Sequence, residues 1–312
     1  MQIRIVNDID KEQWDNLLNS SNHVTIFQTK EMLDLIGDVL YIIAIENDKI
    51  ICGMPIIKKK KPFLQYISPP WGSIIGDEKA IPEILNKFGS LKASHLSFAD
   101  YFNKCVFLEK NGFKVKKGFV HIVKLEKQFD NMFKGKISKS RKKNASVALK
   151  RGVILEQIKN LEQVYEYYKM AQYTYKLHGR KLAYSFNFFR KIFENMPHLI
   201  KWDVAKKNNK IIAGTLHLIY KDMIFDLLDA SYRKYQNLRA NDLLIYSTMK
   251  WGCENGYKYY NFGSSRASAI NLMKFKEIWG GEKYYYNIYE RSSPFFKYSK
   301  KILNIIQKLY IK

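Results

Sequence analysis

Two apolar runs around a short polar turn form the clearest pattern in the chain. Tyr41–Ile45 is followed by Glu46-Asn47-Asp48 and then by Lys49–Ile57, which predicts a β-hairpin. The pattern returns in the second half, where Trp202–Ala205 leads through Asn208-Asn209 into Lys210–Leu218. At the constant offset that carries Asn47 onto Asn208, Ala44 falls on Ala205, Lys49 on Lys210, Ile50 on Ile211, Ile51 on Ile212 and Gly53 on Gly214. Further on, Phe107-Leu108-Glu109 and Gly112 can be set against Phe275-Lys276-Glu277 and Gly280. A repeat this long exceeds a solenoid unit and predicts two copies of one α/β domain.

The other elements fit that plan. The first half predicts helices over Trp14–Leu18 and Thr29–Leu35, with Thr29 able to cap the second. A basic tip at Lys58–Lys61, a rigid loop at Tyr66–Gly72 and a helix over Ile81–Phe88 follow. A strand from His95 ends at Asp100, a helix runs through Leu108, and His121–Leu125 closes the half. The second half predicts helices over Leu161–His178 and Asn187–Glu194, and a strand over Met223–Leu228 with Asp226 and Asp229 near its end. Asn241 or Asp242 is expected to cap a helix to Asn255. The strand Lys258–Phe262, the loop Gly263–Arg266, the helix Leu272–Trp279 and the strand Tyr284–Tyr289 complete it. Between the halves, Lys134–Val153 carries eight lysines and arginines and no acid; Gly152 suits the residue that stops its helix. The tail, Pro294–Lys312, alternates apolar residues and lysines at helical spacing. That pattern suits an anionic membrane interface or docking on the protein's own core. The expected division is residues 1–130, a basic linker helix at 131–153, a second domain at 154–291 and the tail at 292–312.

Composition narrows the partners. The net charge of +24 over 312 residues implies a polyanionic neighbour: nucleic acid, an anionic membrane surface or a phosphorylated substrate. No apolar run approaches the roughly 18 residues of a membrane span, and the first residues read as a strand rather than a leader. Cys52, Cys105 and Cys253 have no metal or redox spacing, so core filling and a reducing cytoplasm are expected.

Four stretches resemble the FemAB-like acyltransferases, a branch of the GNAT superfamily with two fused GNAT-like domains. They are the loop Tyr66-Ile67-Ser68-Pro69-Pro70-Trp71-Gly72, the basic helix Lys139–Val153, the strand end Tyr259-Tyr260-Asn261-Phe262-Gly263, and the motif Phe275-Lys276-Glu277-Ile278-Trp279-Gly280. They occur in the family's order over residues 10–290. The chain departs from the family where Arg is usual in the Pro-Gly loop and after Phe-Gly; Pro and Ser stand there. The phosphate-binding turn of GNAT proteins is glycine-rich, whereas Tyr235–Asp242 has no glycine. The resemblance implies an α/β fold of two tandem GNAT-like domains, each a mixed twisted sheet flanked by helices, with a C-terminal basic amphipathic helix.

It further implies an N-acyltransferase moving an acyl or aminoacyl group to an amine of a cell-envelope peptide or sugar precursor, in a groove between the domains. The donor is acyl-CoA or aminoacyl-tRNA, with no tightly bound cofactor and no metal. The partners are a phosphate-linked precursor, aminoacyl-tRNA and, through the tail, an anionic membrane surface. The place is the cytoplasm or the inner face of the membrane. Without a Ser/His/Asp signature, direct transfer is favoured over a covalent acyl-enzyme. Asp100 and Asp229 are the candidate bases, with Asp226 competing, and Lys276 the candidate anion partner. Lys30, Arg141, Lys142, Arg233, Arg239 and Arg266 are candidate substrate contacts. Trp71 and Tyr260 are candidate groove walls, Trp279 is better read as core, and His217 is an outside candidate base. The alternatives are an acetyl-CoA-dependent GNAT acetyltransferase and a non-catalytic polyanion- or membrane-binding protein.

Overall fold

A computed structural model describes residues 1–22, 24–61, 64–72, 74–101, 112–296 and 298–299. Cys105, the helix expected through Leu108 and the tail beyond Ser299 lie outside the described residues. The chain forms two compact units, Met1–Gly118 with Tyr285 onward, and Phe119–Tyr284. In chain order the first half comprises β1 (Gln2–Val6), α1 (Lys11–Ser20), α2 (Lys30–Ile36), β2 (Val39–Glu46), β3 (Lys49–Lys61), β4 (Leu64–Ser68), β5 (Ile75–Gly76), α3 (Ile81–Gly89) and β6 (His95–Asp100). β7 (Lys114–Lys124) and α4 (Lys139–Lys150) lead into β8 (Ile154–Gln157), α5 (Leu161–Leu177), α6 (Phe186–Asn195), β9 (Ile200–Lys207), β10 (Lys210–Tyr220) and β11 (Met223–Ser231). The chain continues through α7 (Ala240–Glu254), β12 (Tyr259–Ser264), α8 (Ile270–Ile278) and β13 (Glu282–Ser292).

The basic stretch at Lys58–Lys61 is the end of β3, paired with β4, rather than a free tip. α4, expected as a linker, packs inside the second unit, where Ala145 and Ala148 let it approach Leu243 and Leu244 of α7 closely. The residues of β13 from Tyr285 on lie with the first unit.

The two units repeat one topology. In the first, the sheet runs β1-β2-β3-β4-β6-β13; in the second, β8-β9-β10-β11-β12-β7. In each, three antiparallel strands precede a parallel pair joined by a crossover helix: β4 with β6, and β11 with β12. The likeness extends to single residues. Asn47 and Asp48 take φ 48 and 57, and Asn208 and Asn209 take φ 48 and 61, the left-handed pair of a tight hairpin turn. The bulge in the first hairpin separates Ala44↔Cys52 from Ile45↔Ile50; in the second it separates Ala205↔Ala213 from Lys206↔Ile211. A Cβ on Gly53 would meet the Trp14 ring at 2.6 Å, and one on Gly214 the Tyr167 ring at 2.9 Å. Each glycine therefore admits a large buried aromatic, from α1 in the first unit and from α5 in the second.

Candidate active site

In the second unit β11 and β12 run parallel only through Met223↔Tyr259, Ile224↔Tyr260 and Phe225↔Asn261, and then part. The sequence of β12 causes the parting. The Asn261 side chain accepts from the Gly263 N–H at 2.8 Å, and Gly263 takes φ 69, so the chain turns away. The carbonyls of Phe262, Gly263 and Ser264 converge there on one cation. Lys276 Nζ donates to them at 2.8, 3.1 and 3.2 Å. Lys276 is the one buried residue of α8. Besides the partly buried Phe275, α8 turns this lysine inward, and the carbonyls that receive it offset the cost of burying its charge.

Across the opening, β11 supplies the opposite charge. β10 and β11 pair Leu216↔Leu228 and then His217↔Asp226, so Leu227 is an extra residue in the ladder. In a regular strand Asp226 and Asp229 would face opposite sides; the bulge brings them to one side, where their carboxyls hydrogen-bond to each other. Burial, then the neighbouring Asp229 carboxylate, pushes the Asp226 carboxyl well up. Burial pushes Asp229 up to about 7, opposed by the Lys276 ammonium. Burial lowers Lys276 to about 8 against the pull of both carboxylates. Two carboxyls in hydrogen-bond contact hold one proton between them: Asp226 carries it, and Asp229 ionises first. Oδ1 of Asp229 is sealed from solvent and has no hydrogen-bond partner among the described residues.

His217 Nε2 lies 2.8 Å from the Tyr260 hydroxyl, and both side chains are buried. Burial lowers the imidazole to about 3, too weak a base for proton transfer at neutral pH, which corrects the expectation for His217. Tyr260 is likewise core rather than wall. His217, Asp226 and Asp229 offer ligand-type atoms within 4.8 Å of one another. The Lys276 ammonium with one shared proton already balances two carboxylates, so the charge count favours a proton-holding cluster.

Burial raises the Tyr175 phenol, Arg180 opposes the rise, and the Asp226 and Asp229 carboxylates add to it. Arg180 lines a cavity of about 450 Å³ formed by α5 and the segment that leads to α6, together with Lys176, Lys181, Gln172, Tyr168, Tyr184 and Ser185. None of these three cations has an acidic partner among the described residues.

The other expected residues are placed differently. Asp100 is buried at the end of β6 in the first unit, opposite Asn287. Trp71, in the same unit, packs its ring on Tyr101 at 4.5 Å and Phe27 at 5.9 Å. Lys30 pairs with Asp34 at 2.6 Å and Asp8 at 3.7 Å. Lys142 pairs with Asp130 at 2.5 Å. Arg141 donates to Asp242 at 2.7 Å and Asn144 to the other carboxylate oxygen at 3.0 Å, so Arg141 ties α4 to α7. Removing the partner of the buried Asp242 is expected to be strongly destabilising: Arg141→Ala should cost about 3 kcal/mol in denaturant unfolding. Neither Asn241 nor Asp242 caps α7. Arg239 does, at φ 59, because the Asp242 carboxylate is held by α4. Arg233, Arg239 and Arg266 are exposed. The candidates that the fold brings together are thus Asp229, Asp226 and Lys276. Residues not anticipated are Tyr175, Lys176, Arg180, Lys181 and His121. His121 is buried on β7, with Nε2 3.8 Å from Glu277, and burial and Lys276 hold it neutral. No described helix is long and apolar enough to cross a membrane.

Residues 132–277 match the family described as acetyltransferase (GNAT) domain. This stretch, just under half of the chain, is thus similar to a GNAT domain. No curated protein sequence matches the chain. Among solved structures, FemX superposes with a TM-score of 0.71 at 15% identity, over 92% of this chain and 97% of that one. L-PGS from Bacillus licheniformis gives 0.61 at 17%, over 93% and 94%. The C-terminal domain of a putative lysylphosphatidylglycerol synthetase from Agrobacterium fabrum gives 0.60 at 14%, over 95% and 96%. At these identities the likeness is one of fold. It covers more than nine-tenths of the chain, in keeping with the topology that the two units share.

Proposed function

We propose that the protein is an N-acyltransferase that moves an acyl or aminoacyl group to the amine of a phosphate-linked cell-envelope peptide or sugar precursor. The observation that carries this reading is the half-buried pair Asp226–Asp229 facing Lys276 where β11 and β12 part. A carboxyl poised near neutral pH beside a cation is what acceptance of an amine proton requires. Asp229 holds the amine. As the nitrogen attacks the donor carbonyl, the C–N bond forms, the amine proton passes to Asp229, and the carbonyl oxygen takes up negative charge. The three donors of Lys276 are engaged by β12, whose end they hold in place, so it acts on the oxyanion through its charge and not as a hydrogen-bond donor. Main-chain N–H groups on the open edge of β11 are the direct donors to the oxyanion. Collapse of the intermediate breaks the bond to the leaving oxygen or sulfur, which takes a proton as it departs. Asp100 stands as the alternative amine-holding group.

The cavity at Lys176, Arg180 and Lys181 supports an acceptor carrying phosphate, since three cations without acids and three hydroxyls match its oxygens. One structure of the same fold bears the name lysylphosphatidylglycerol synthetase, which describes an aminoacyl group on a phosphate-linked acceptor. The donor is acyl-CoA or aminoacyl-tRNA. Both carry phosphate, which suits the start of α7, where no side chain caps the helix. The reading places the protein in the cytoplasm, at the inner membrane face when its acceptor is lipid-borne. Arg180→Gln is expected to raise KM for a phosphate-linked acceptor about tenfold with kcat little changed. An equal effect on an acceptor without phosphate would remove the anchoring role.

A further inference from the structure

The bulge that unites Asp226 with Asp229 needs a cause, because the residues of β11 do not impose it. In the first unit the corresponding ladder is broken by proline. β4 leaves β3 after Ile57↔Ser68, Pro69 and Pro70 have no N–H to donate, and pairing resumes out of register at Gly53↔Ile75. β11 has no proline. Leu227 and Leu228 suit a regular ladder, which would put Asp226 and Asp229 on opposite faces.

Tyr167 of α5 reaches the sheet where the ladder shifts. Its hydroxyl donates to the Leu228 carbonyl at 2.5 Å and accepts a hydrogen bond from the Leu216 backbone. Leu216↔Leu228 is the pair that borders the extra Leu227. One oxygen thus serves both strands at a disrupted point of the ladder, which a hydroxyl can do because it donates and accepts at once. The side chain is fully buried, and burial, then the Asp229 and Asp226 carboxylates, hold the phenol well above its usual range, so it stays a donor. Its ring stands edge-on to Trp202 at 5.1 Å, in the space that Gly214 leaves clear.

A second grip lies further along the same helix. Thr174 Oγ1 accepts from the Ser231 N–H at 3.0 Å. Seven residues of helix rise about 10.5 Å and three of strand span about 10 Å, so Tyr167 and Thr174 can hold Leu228 and Ser231 from one face of α5. Asp229 lies between the two grips.

We propose that Tyr167 is a positioning residue, whose hydroxyl holds the bulge of β11 in place and so keeps Asp226 and Asp229 on one side, facing Lys276. Its part in catalysis rests on the proposed acyl transfer; its part in forming the carboxyl pair does not. Of the titratable groups beside the pair, Lys276 is charged, whereas His217 of β10, Tyr175 of α5 and Tyr260 of β12 are neutral near pH 7. The proton on the pair therefore reports how close the two carboxyls stand.

The test is infrared spectroscopy of the full-length protein at neutral pH. The wild type is expected to show the carbonyl band of a protonated carboxyl, identified by its loss in Asp226→Asn. Tyr167→Phe keeps the ring and removes the bridge. With the carboxyls apart, Asp229 no longer adds to the rise of Asp226, so the band should lose half its intensity or more. In the same variant kcat should fall about tenfold, with KM for the acceptor little changed. A melting point that drops while the band stays unchanged marks Tyr167 as packing alone and overturns the proposal. No band in the wild type removes the shared proton and overturns it together with the assignment of Asp229 as base. An inactive wild type whose band falls in Tyr167→Phe would sink the acyl-transfer reading and leave this one standing. Should Tyr167→Phe fail to fold, NMR of the wild type takes its place. The Tyr167 hydroxyl proton is expected to exchange slowly and to lie close to the Leu216 amide, and a fast-exchanging hydroxyl overturns the proposal.

Discussion

Asp229→Asn is expected to lower kcat for acyl transfer by about 10²- to 10⁴-fold while the protein stays folded. Asparagine keeps the shape and one hydrogen bond to Asp226 but cannot accept the amine proton. The wild-type rate should rise with pH as Asp229 ionises near 7 and fall again as Lys276 loses its proton near 8, giving a narrow optimum between those values. In the variant the rising limb should vanish. Stability should move the other way. The folded-state value of Asp229 lies above the ordinary 3.8, so the folded protein keeps a proton that the unfolded chain has released. That contribution is full below the ordinary value and is lost as pH rises through about 7. Asp229→Asn removes the loss, so it should melt higher than wild type at pH 8, and the gap should close as pH falls toward 4. A variant that is less active and more stable marks a group kept for chemistry. If its melting point drops at every pH, the carboxyl pair is instead structural support.

Lys276→Met is expected to carry the second large effect and to differ in kind. It removes the cation that faces the pair, so Asp229 should ionise at higher pH and the rising limb should shift upward. It also strips donors from the carbonyls of Phe262, Gly263 and Ser264. A buried group left unsatisfied costs about 1–3 kcal/mol, so stability should fall together with kcat. Lys276→Arg should not restore activity. Three converging carbonyls suit the three N–H bonds of an ammonium, and a planar guanidinium cannot reproduce that geometry. Full rescue by arginine would show that only the charge matters.

Much of the fold is legible in the sequence because it is written locally. Asn47-Asp48 and Asn208-Asn209 announce their turns, and the matched Gly53 and Gly214 mark the places where an aromatic from a helix must lie on the sheet. The site is only half legible. Lys276 and Asp229 stand in recognisable surroundings, but the device that unites Asp226 with Asp229 is a bulge at Leu227, and nothing in alternating hydrophobicity announces one extra residue. The basic helix α4 misleads for a related reason. Its charges look free along the chain, yet Arg141 and Lys142 find Asp242 and Asp130 in space. Conversely Lys176, Arg180 and Lys181 look like ordinary surface charge, and only the way the segment after α5 folds beside that helix makes a cavity of them.

The most direct test is to incubate the protein with a nucleotide-linked amino sugar and either acetyl-CoA or aminoacyl-tRNA, at pH 7.5, and to weigh the products. The expected result is an acceptor heavier by one acyl or aminoacyl group with one of the two donors, formed by the wild-type protein and not by Asp229→Asn. No modified acceptor with either donor, or equal product from the variant, would contradict the assignment of acyl transfer to the carboxyl pair of β11.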